Sequence, residues 1–76
     1  MKARVYVTLK AGVLDVQGKA VEGTLHRMGF EDMSGVRVGR YLELEVEGEQ
    51  ARSRLDDACR KLLANPVIED YRIEVS

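Results

Sequence analysis

Ser34-Gly35-Val36-Arg37-Val38-Gly39-Arg40-Tyr41-Leu42-Glu43-Leu44-Glu45-Val46-Glu47 keeps one parity from end to end. Val36, Val38, Leu42, Leu44 and Val46 carry even numbers while Arg37, Tyr41, Glu43, Glu45 and Glu47 carry odd ones, so a strand here keeps one apolar face across Gly39. A two-residue hairpin loop at Gly39-Arg40 would set Val38 opposite Tyr41 and Val36 opposite Glu43, mixing apolar with polar on one face. A continuous strand, or a three-residue loop at residues 39–41, keeps the faces consistent. Gly39, lacking a side chain, is the place for a bulge or bend. Run continuously, the 14 residues reach about 46 Å at ~3.3 Å each. A compact chain of 76 residues has a radius of gyration near 11 Å and is only roughly 29 Å across. Such a strand overhangs its own monomer.

That overhang bears on how so short a chain is stabilised. Seventy-six residues allow one domain, residues 1–76, and a fold of this size buries only about 60% of the surface its unfolded chain exposes. One cysteine, Cys59, removes an internal disulfide, and with a single histidine the usual four ligands of a structural zinc are missing. A tight core or an oligomer is left. Twelve basic residues against 13 acidic give a net charge of −1, and three Tyr, one Phe and no Trp are few for stacking on single strands, so no nucleic-acid partner is expected. The N-terminus lacks the apolar core of a signal peptide, and no apolar stretch approaches the roughly 20 residues of a membrane span. The expected location is the cytoplasm, away from any membrane.

Upstream of the long stretch, Ala3, Val5, Val7 and Leu9 alternate with Arg4, Tyr6 and Thr8 as in a half-buried strand. Asp15 suits the N-cap of a helix over about residues 16–28, with Val16, Ala20, Val21, Leu25 and Met28 on its stripe and Gly29 at its end. Downstream, Gly48 leads into a second helix whose stripe is Ala51, Leu55, Ala58, Cys59 and Leu62. Asn65-Pro66 stops it. A last strand, Val67 to Val75, sets Val67, Tyr71, Ile73 and Val75 on one face. Strand, helix, long strand or hairpin, helix, strand predicts an α+β fold with helices on one face of an antiparallel sheet, in the manner of a ferredoxin-like unit.

No chemistry assembles from these elements. Cys59 lies on an apolar stripe, where a thiol is inert packing, and His26 has no helix-spaced partner beyond Glu22. No second His, Cys pair or Gly-x-Ser-x-Gly turn supplies a nucleophile with its base. Glu43, Glu45 and Glu47 read as a solvated strand face, and Gly35 and Gly39 match no phosphate-binding loop. Neither catalytic, cofactor nor metal residues are therefore assigned. Three features lack a self-evident purpose. Arg40 is the only charged side chain in the apolar parity of the long strand and needs either a carboxylate in its own chain or one across a subunit junction. Val13 and Leu14 precede a cap, either as a hydrophobic staple or as a partner contact. Leu63-Ala64-Asn65-Pro66-Val67-Ile68 forms a rigid helix-to-strand corner.

Three blocks carry a resemblance to a known family: Tyr6-Val7-Thr8-Leu9-Lys10-Ala11-Gly12-Val13-Leu14-Asp15, Val36-Arg37-Val38-Gly39-Arg40-Tyr41-Leu42-Glu43-Leu44, and Leu62-Leu63-Ala64-Asn65-Pro66-Val67-Ile68-Glu69-Asp70-Tyr71. In order and spacing they resemble the PurS family, small subunits of phosphoribosylformylglycinamidine synthase. The family commonly reads Asp-Pro-Gln-Gly where this chain has Asp15-Val16-Gln17-Gly18, so the helix start lacks a pre-organising proline.

The resemblance implies a dimer of ferredoxin-like units exchanging long bent strands, as homodimer or tetramer, which suits the overhang. It implies no active site in this chain but a required place in an ATP-dependent C–N ligase complex. In that complex a glutaminase subunit, PurQ, releases ammonia from glutamine. A large subunit, PurL, uses ATP and magnesium to convert formylglycinamide ribonucleotide to its amidine, and the small subunit bridges the two and assists ammonia passage. Asp15, Gln17, Gly18, Arg37, Gly39, Arg40, Tyr41, Asn65, Pro66 and Tyr71 are, by resemblance, its structural or interface positions. The rival expectation is a ferredoxin-like regulatory dimer that binds an effector such as an amino acid near the loop Lys10 to Gly12.

Overall fold

The computed structural model describes residues 1–76. Strand β1, Lys2–Leu9, alternates as its sequence requires, and its inward Ala3, Val5 and Val7 are fully buried. It is the central strand of a three-stranded antiparallel sheet in the order β2-β1-β3, with β2 at Arg40–Glu45 and β3 at Glu69–Val75. Val5 lies opposite Leu42 on one side and Ile73 on the other, so the apolar sets of all three strands share one face. Helix α2, Ala51–Ala58, lays Ala51 and Leu55 on that face, followed by Cys59. A π-helical turn, Cys59–Leu63, then widens the helix, closed by the Ala64 amide donating to the Cys59 carbonyl at 2.9 Å. The extra residue in the turn shifts the stripe. Ala64 becomes buried and Leu62, expected on the inner face, is 82% exposed.

The last strand also begins later than Val67. The Asn65 carbonyl accepts from the amides of Ile68 and Glu69, and its side-chain oxygen accepts from the Val67 amide at 3.1 Å. This local turn competes successfully with the sheet, and Val67 is left 80% exposed.

The α+β class and the antiparallel sheet are as expected, but only one helix covers the sheet within the chain. Helix α1, Val16–Arg27, supplies no residue to the core and stands off with residues 35–39 as an arm. The molecule measures 49 × 24 × 14 Å with a radius of gyration of 15.6 Å, well beyond the ~11 Å of a compact chain this long. The stretch from Val36 to Val46 keeps its parity, the even apolar residues half-buried and the odd residues exposed, with Arg40 the one even position left exposed. No hairpin interrupts it: β2 starts with Arg40 opposite Val7, and residues 36–39 run on past the sheet beside α1. At the departure point a Cβ on Gly39 would sit 2.4 Å from the Val7 carbonyl oxygen. The bend therefore needs glycine for space.

Candidate functional site

Where the chain leaves the sheet, two carboxylates hold the arm in place. Asp15, the N-cap of α1, is almost wholly buried. Its Oδ1 accepts from the Gly18 amide at 2.7 Å and its Oδ2 accepts from the Val38 amide at 2.8 Å. One side chain thus closes the helix end and fastens the returning segment. Glu22, two turns along α1, accepts from the Val36 amide at 3.1 Å. Arg37 lies between them and the sheet, its Nη2 donating to the carbonyls of Leu9 and Lys10 at 2.9 and 3.2 Å and its Nε 3.9 Å from Asp15 Oδ2. Gly18 lets these parts approach, since a Cβ there would lie 2.4 Å from the Val36 carbonyl oxygen.

On the other side of Gly39, Arg40 donates to the Leu63 carbonyl at 2.8 Å and to Glu69 Oε1 at 3.1 Å. The same Glu69 oxygen accepts from the Asn65 amide at 2.7 Å. Arg40 thus neutralises Glu69, satisfies a carbonyl left free at the end of the helical segment, and ties the start of β2 to the Asn65-Pro66 corner. The carboxylate partner lies in its own chain, and the Arg40 side chain stays 55% exposed. A groove of about 230 Å³ runs over this junction, with Gln17, Leu14, Gly39 and the Arg40–Glu69 pair on its walls. Leu14, a candidate staple, is 70% exposed on its rim.

Six of the ten motif positions, Asp15, Gln17, Gly18, Arg37, Gly39 and Arg40, meet at this junction, and Asn65 joins them through Glu69. Pro66 is exposed in the adjoining turn. The two tyrosines lie elsewhere. Tyr71 is on the helix side of the sheet, its hydroxyl donating to Asp56 Oδ1 at 2.6 Å. Tyr41 is on the open side, its ring centroid 5.1 Å from that of Tyr6 and its hydroxyl donating to Glu43 at 2.7 Å. Cys59 is fully enclosed, and burial pushes its thiol up, away from the nucleophilic thiolate. His26 contacts the Met33 carbonyl at 2.7 Å, bracing the loop after α1. No group of three His, Cys, Asp or Glu side chains is placed to hold a metal ion.

Glu22 and Glu69 were missed by motif reasoning, yet Glu69 had a signal. It is the only charged residue among odd positions 67 to 75, as Arg40 is among the even positions of the long strand. Two exceptions of opposite sign in apolar parities predict each other.

The electrostatics of the junction have a fixed sign. Hydrogen bonds from Val38 and then Gly18 lower the Asp15 pKa, a bond from Val36 lowers that of Glu22, and bonds from Asn65 and then Arg40 lower that of Glu69. A depressed folded-state pKa contributes stability above the unfolded value and loses it as pH falls through the folded one. The arm is therefore expected to loosen below about pH 4, where ordinary carboxylates begin to protonate. Amide-exchange protection at Val36 and Val38 should fall before that at Val5. In Asp15→Asn the pH step should vanish at Val38 and persist at Val36; a step surviving at Val38 would assign it to another group.

Comparison with known proteins agrees with this geometry. The sequence pattern of the family described as PurS, phosphoribosylformylglycinamidine (FGAM) synthase, matches residues 2–76. The phosphoribosylformylglycinamidine synthase subunit PurS of Bacillus subtilis (strain 168) is 50% identical over 78 residues, spanning 97% of this chain and 90% of its own. A crystal structure of Bacillus subtilis PurS superimposes with a TM-score of 0.90 at 49% identity, covering 99% of this chain and 96% of that one. A chain in the structure of PurLQS from Thermotoga maritima superimposes with a TM-score of 0.87 at 32% identity, over 96% of this chain and 93% of that one. A family match over residues 2–76 and a structural likeness that covers 99% of this chain, sheet and arm alike, leave one conclusion: this chain belongs to the PurS family.

Proposed function

We propose that the chain is the small, non-catalytic subunit of FGAM synthase in de novo purine biosynthesis, bridging the glutaminase subunit PurQ and the synthase subunit PurL and assisting ammonia transfer. The observation that carries this reading is the likeness, over nearly the whole of both chains, to a component of the Thermotoga maritima PurLQS structure. The full complex converts formylglycinamide ribonucleotide, glutamine and ATP to the amidine, glutamate, ADP and phosphate. ATP and magnesium belong to the large subunit. Ammonia released into water at neutral pH is protonated and ceases to be a nucleophile, so a closed, water-poor path between the two sites preserves it. A bridge serves that path by shape, which fits a chain whose functional positions set the angle of an arm.

The reading includes a homodimer or tetramer built by exchange. Val16, Val21, Met28 and Phe30 are exposed on and after α1. An apolar groove of about 290 Å³ lies open between Leu44 and Val46 of the β2 segment and Leu55 of α2. The arm of one copy over the groove of another would bury both.

The regulatory-dimer reading gains nothing from the groove beside the Lys10–Gly12 loop. Its Asp15 and Glu22 carboxylates and its Arg37 guanidinium are already taken by the chain's own backbone, leaving few groups to recognise an amino acid.

The test compares two ammonia sources in a reconstituted complex. Omitting this chain should lower glutamine-dependent amidine synthesis by roughly tenfold or more, since the two active sites lose their enforced proximity, while ammonia-dependent synthesis persists. Equal loss with both sources would overturn ammonia transfer as its role, and no loss with either would overturn the bridge.

A further inference from the structure

The side of the sheet away from α2 is covered by no helix of this chain. Arg4 and Tyr6 of β1 hold its centre, flanked by Tyr41 and Glu43 of β2 and by Arg72 and Glu74 of β3. Most of these charges are paired. Lys2 lies 3.5 Å from Glu43, Arg72 bonds Glu74 at 2.6 Å, and the hydroxyls of Tyr41 and Tyr6 donate to the same two glutamates at 2.7 and 2.9 Å. Arg4 is the exception. The register sets it directly between Glu43 and Glu74, yet both carboxylates are turned to other donors, and Arg4 forms neither an ion pair nor a hydrogen bond. A half-buried arginine thus stands at the middle of the face with its N–H donors free. Beside it the Tyr6 and Tyr41 rings lie 5.1 Å apart between centroids, and Arg72 sits 4.2 Å over Tyr6. Bonded hydroxyls and the stacked cation hold both rings in place, so an apolar platform is already built next to the free charge.

We propose that, within the bridging role described above and resting on it, this open face docks the synthase subunit PurL through a carboxylate seated on Arg4, with an apolar side chain against the Tyr6–Tyr41 pair. Charge selects the carboxylate. Each flanking glutamate is already neutralised by a cation and a hydroxyl, so the charge left over at the centre is positive, and a guanidinium binds a carboxylate in bidentate fashion. Asp70, opposite Thr8 at the margin, is the free anion of the face. The partner surface therefore carries a carboxylate and, about 14 Å from it at ~3.3 Å per residue and ~4.8 Å per strand, a cation. Ordered tyrosine and arginine side chains carry much of the binding energy of protein interfaces, and side chains fixed beforehand lose little further entropy on binding. Exchange of arms would fill the groove on the helix side and leave this side bare. A flat three-stranded face is covered across its width only by a weakly curved surface, which the larger of the two catalytic subunits offers.

Arg4→Glu tests the centre of the face. Titrated into PurL, PurQ, glutamine and ATP and followed by glutamine-dependent synthesis, the variant should need roughly tenfold more chain for half-maximal rate, as loss of a desolvated charge pair does, and reach the same maximal rate. Excess PurL should lower that requirement and excess PurQ should not. Sedimentation of the isolated variant should give the mass of the unaltered chain. An unchanged requirement, rescue by PurQ in place of PurL, or a smaller mass, which would give the face to self-association, would each overturn the proposal. An unaltered chain without effect on glutamine-dependent synthesis would instead overturn the bridging reading beneath it. If Arg4→Glu loses its cooperative melting, hydroxyl-radical oxidation decides without a substitution. Tyr41, 50% exposed in the free chain, should be protected when PurL is added, and unchanged oxidation would refute the docking.

Discussion

Gly39→Ala is expected to destabilise the chain by about 1–3 kcal/mol, the usual cost of forcing extra volume into a packed place. The new Cβ would lie 2.4 Å from the Val7 carbonyl oxygen and 3.2 Å from the Thr8 methyl. The first contact is with backbone in the middle strand, so neither side can yield cheaply. For a domain of 60–100 residues that loss lowers the melting temperature by roughly 4–8 °C per kcal/mol. Gly23→Ala is the matched control. It lies inside α1, the added Cβ meets only the end of Arg27 at 3.5 Å, and alanine gains up to ~1 kcal/mol of helix propensity over glycine. Gly23→Ala should therefore raise the melting temperature while Gly39→Ala lowers it. The pair also separates stability from geometry: if Gly39 sets the arm's angle, Gly39→Ala should lose glutamine-dependent synthesis beyond its share of unfolded protein. Two alanines with equal effects of the same sign would refute the reading of Gly39 as a point of close approach.

The same residues show how much was legible beforehand. Parity across Gly39 is a local property, and it correctly excluded a two-residue hairpin because a register error would have exposed every apolar side chain of the stretch. The overhang followed from length alone. What parity could not supply was the location of α1, because its stripe of Val16, Val21, Leu25 and Met28 has the right spacing for packing but does not say against which chain. In one copy it packs against no sheet. Leu62 and Val67 failed for a different reason. A π-helical turn and an Asn65-centred turn each shift phase by local hydrogen bonding, which periodicity assumes away. In the junction, Asp15 was readable as a cap, since a cap is a nearest-neighbour device. Its second bond, to the Val38 amide 23 residues on, depends on the arm folding back and has no short-range signature. Arg40 and Glu69 lie between these cases. Each was a visible exception in its own strand, and only their opposite signs linked them.

Leu55→Ala should be the most damaging single truncation in the core. Leu55 is 3% exposed and belongs to a core cluster with Ala3, Val5, Val7, Cys59 and Ala64, small side chains that cannot collapse far into the space it leaves. Leucine-to-alanine changes at such sites cost about 2–5 kcal/mol, a large part of the roughly 5–15 kcal/mol that holds a typical domain folded. With only nine buried residues in 76, this chain belongs at the low end of that range, and the isolated variant should lose its cooperative thermal transition. Assembly changes the outcome. Partners that bind only the folded form stabilise it by mass action, by ~2.7 kcal/mol at 100 times their dissociation constant. Glutamine-dependent synthesis by Leu55→Ala should therefore be weak at limiting PurL and PurQ and recover as they are raised, with ammonia-dependent synthesis unchanged throughout. A defect that persists at saturating partners would show that Leu55 acts beyond folding. Recovery would mean that this small sheet is completed by its assembly, as the exposed arm and the open sheet face imply.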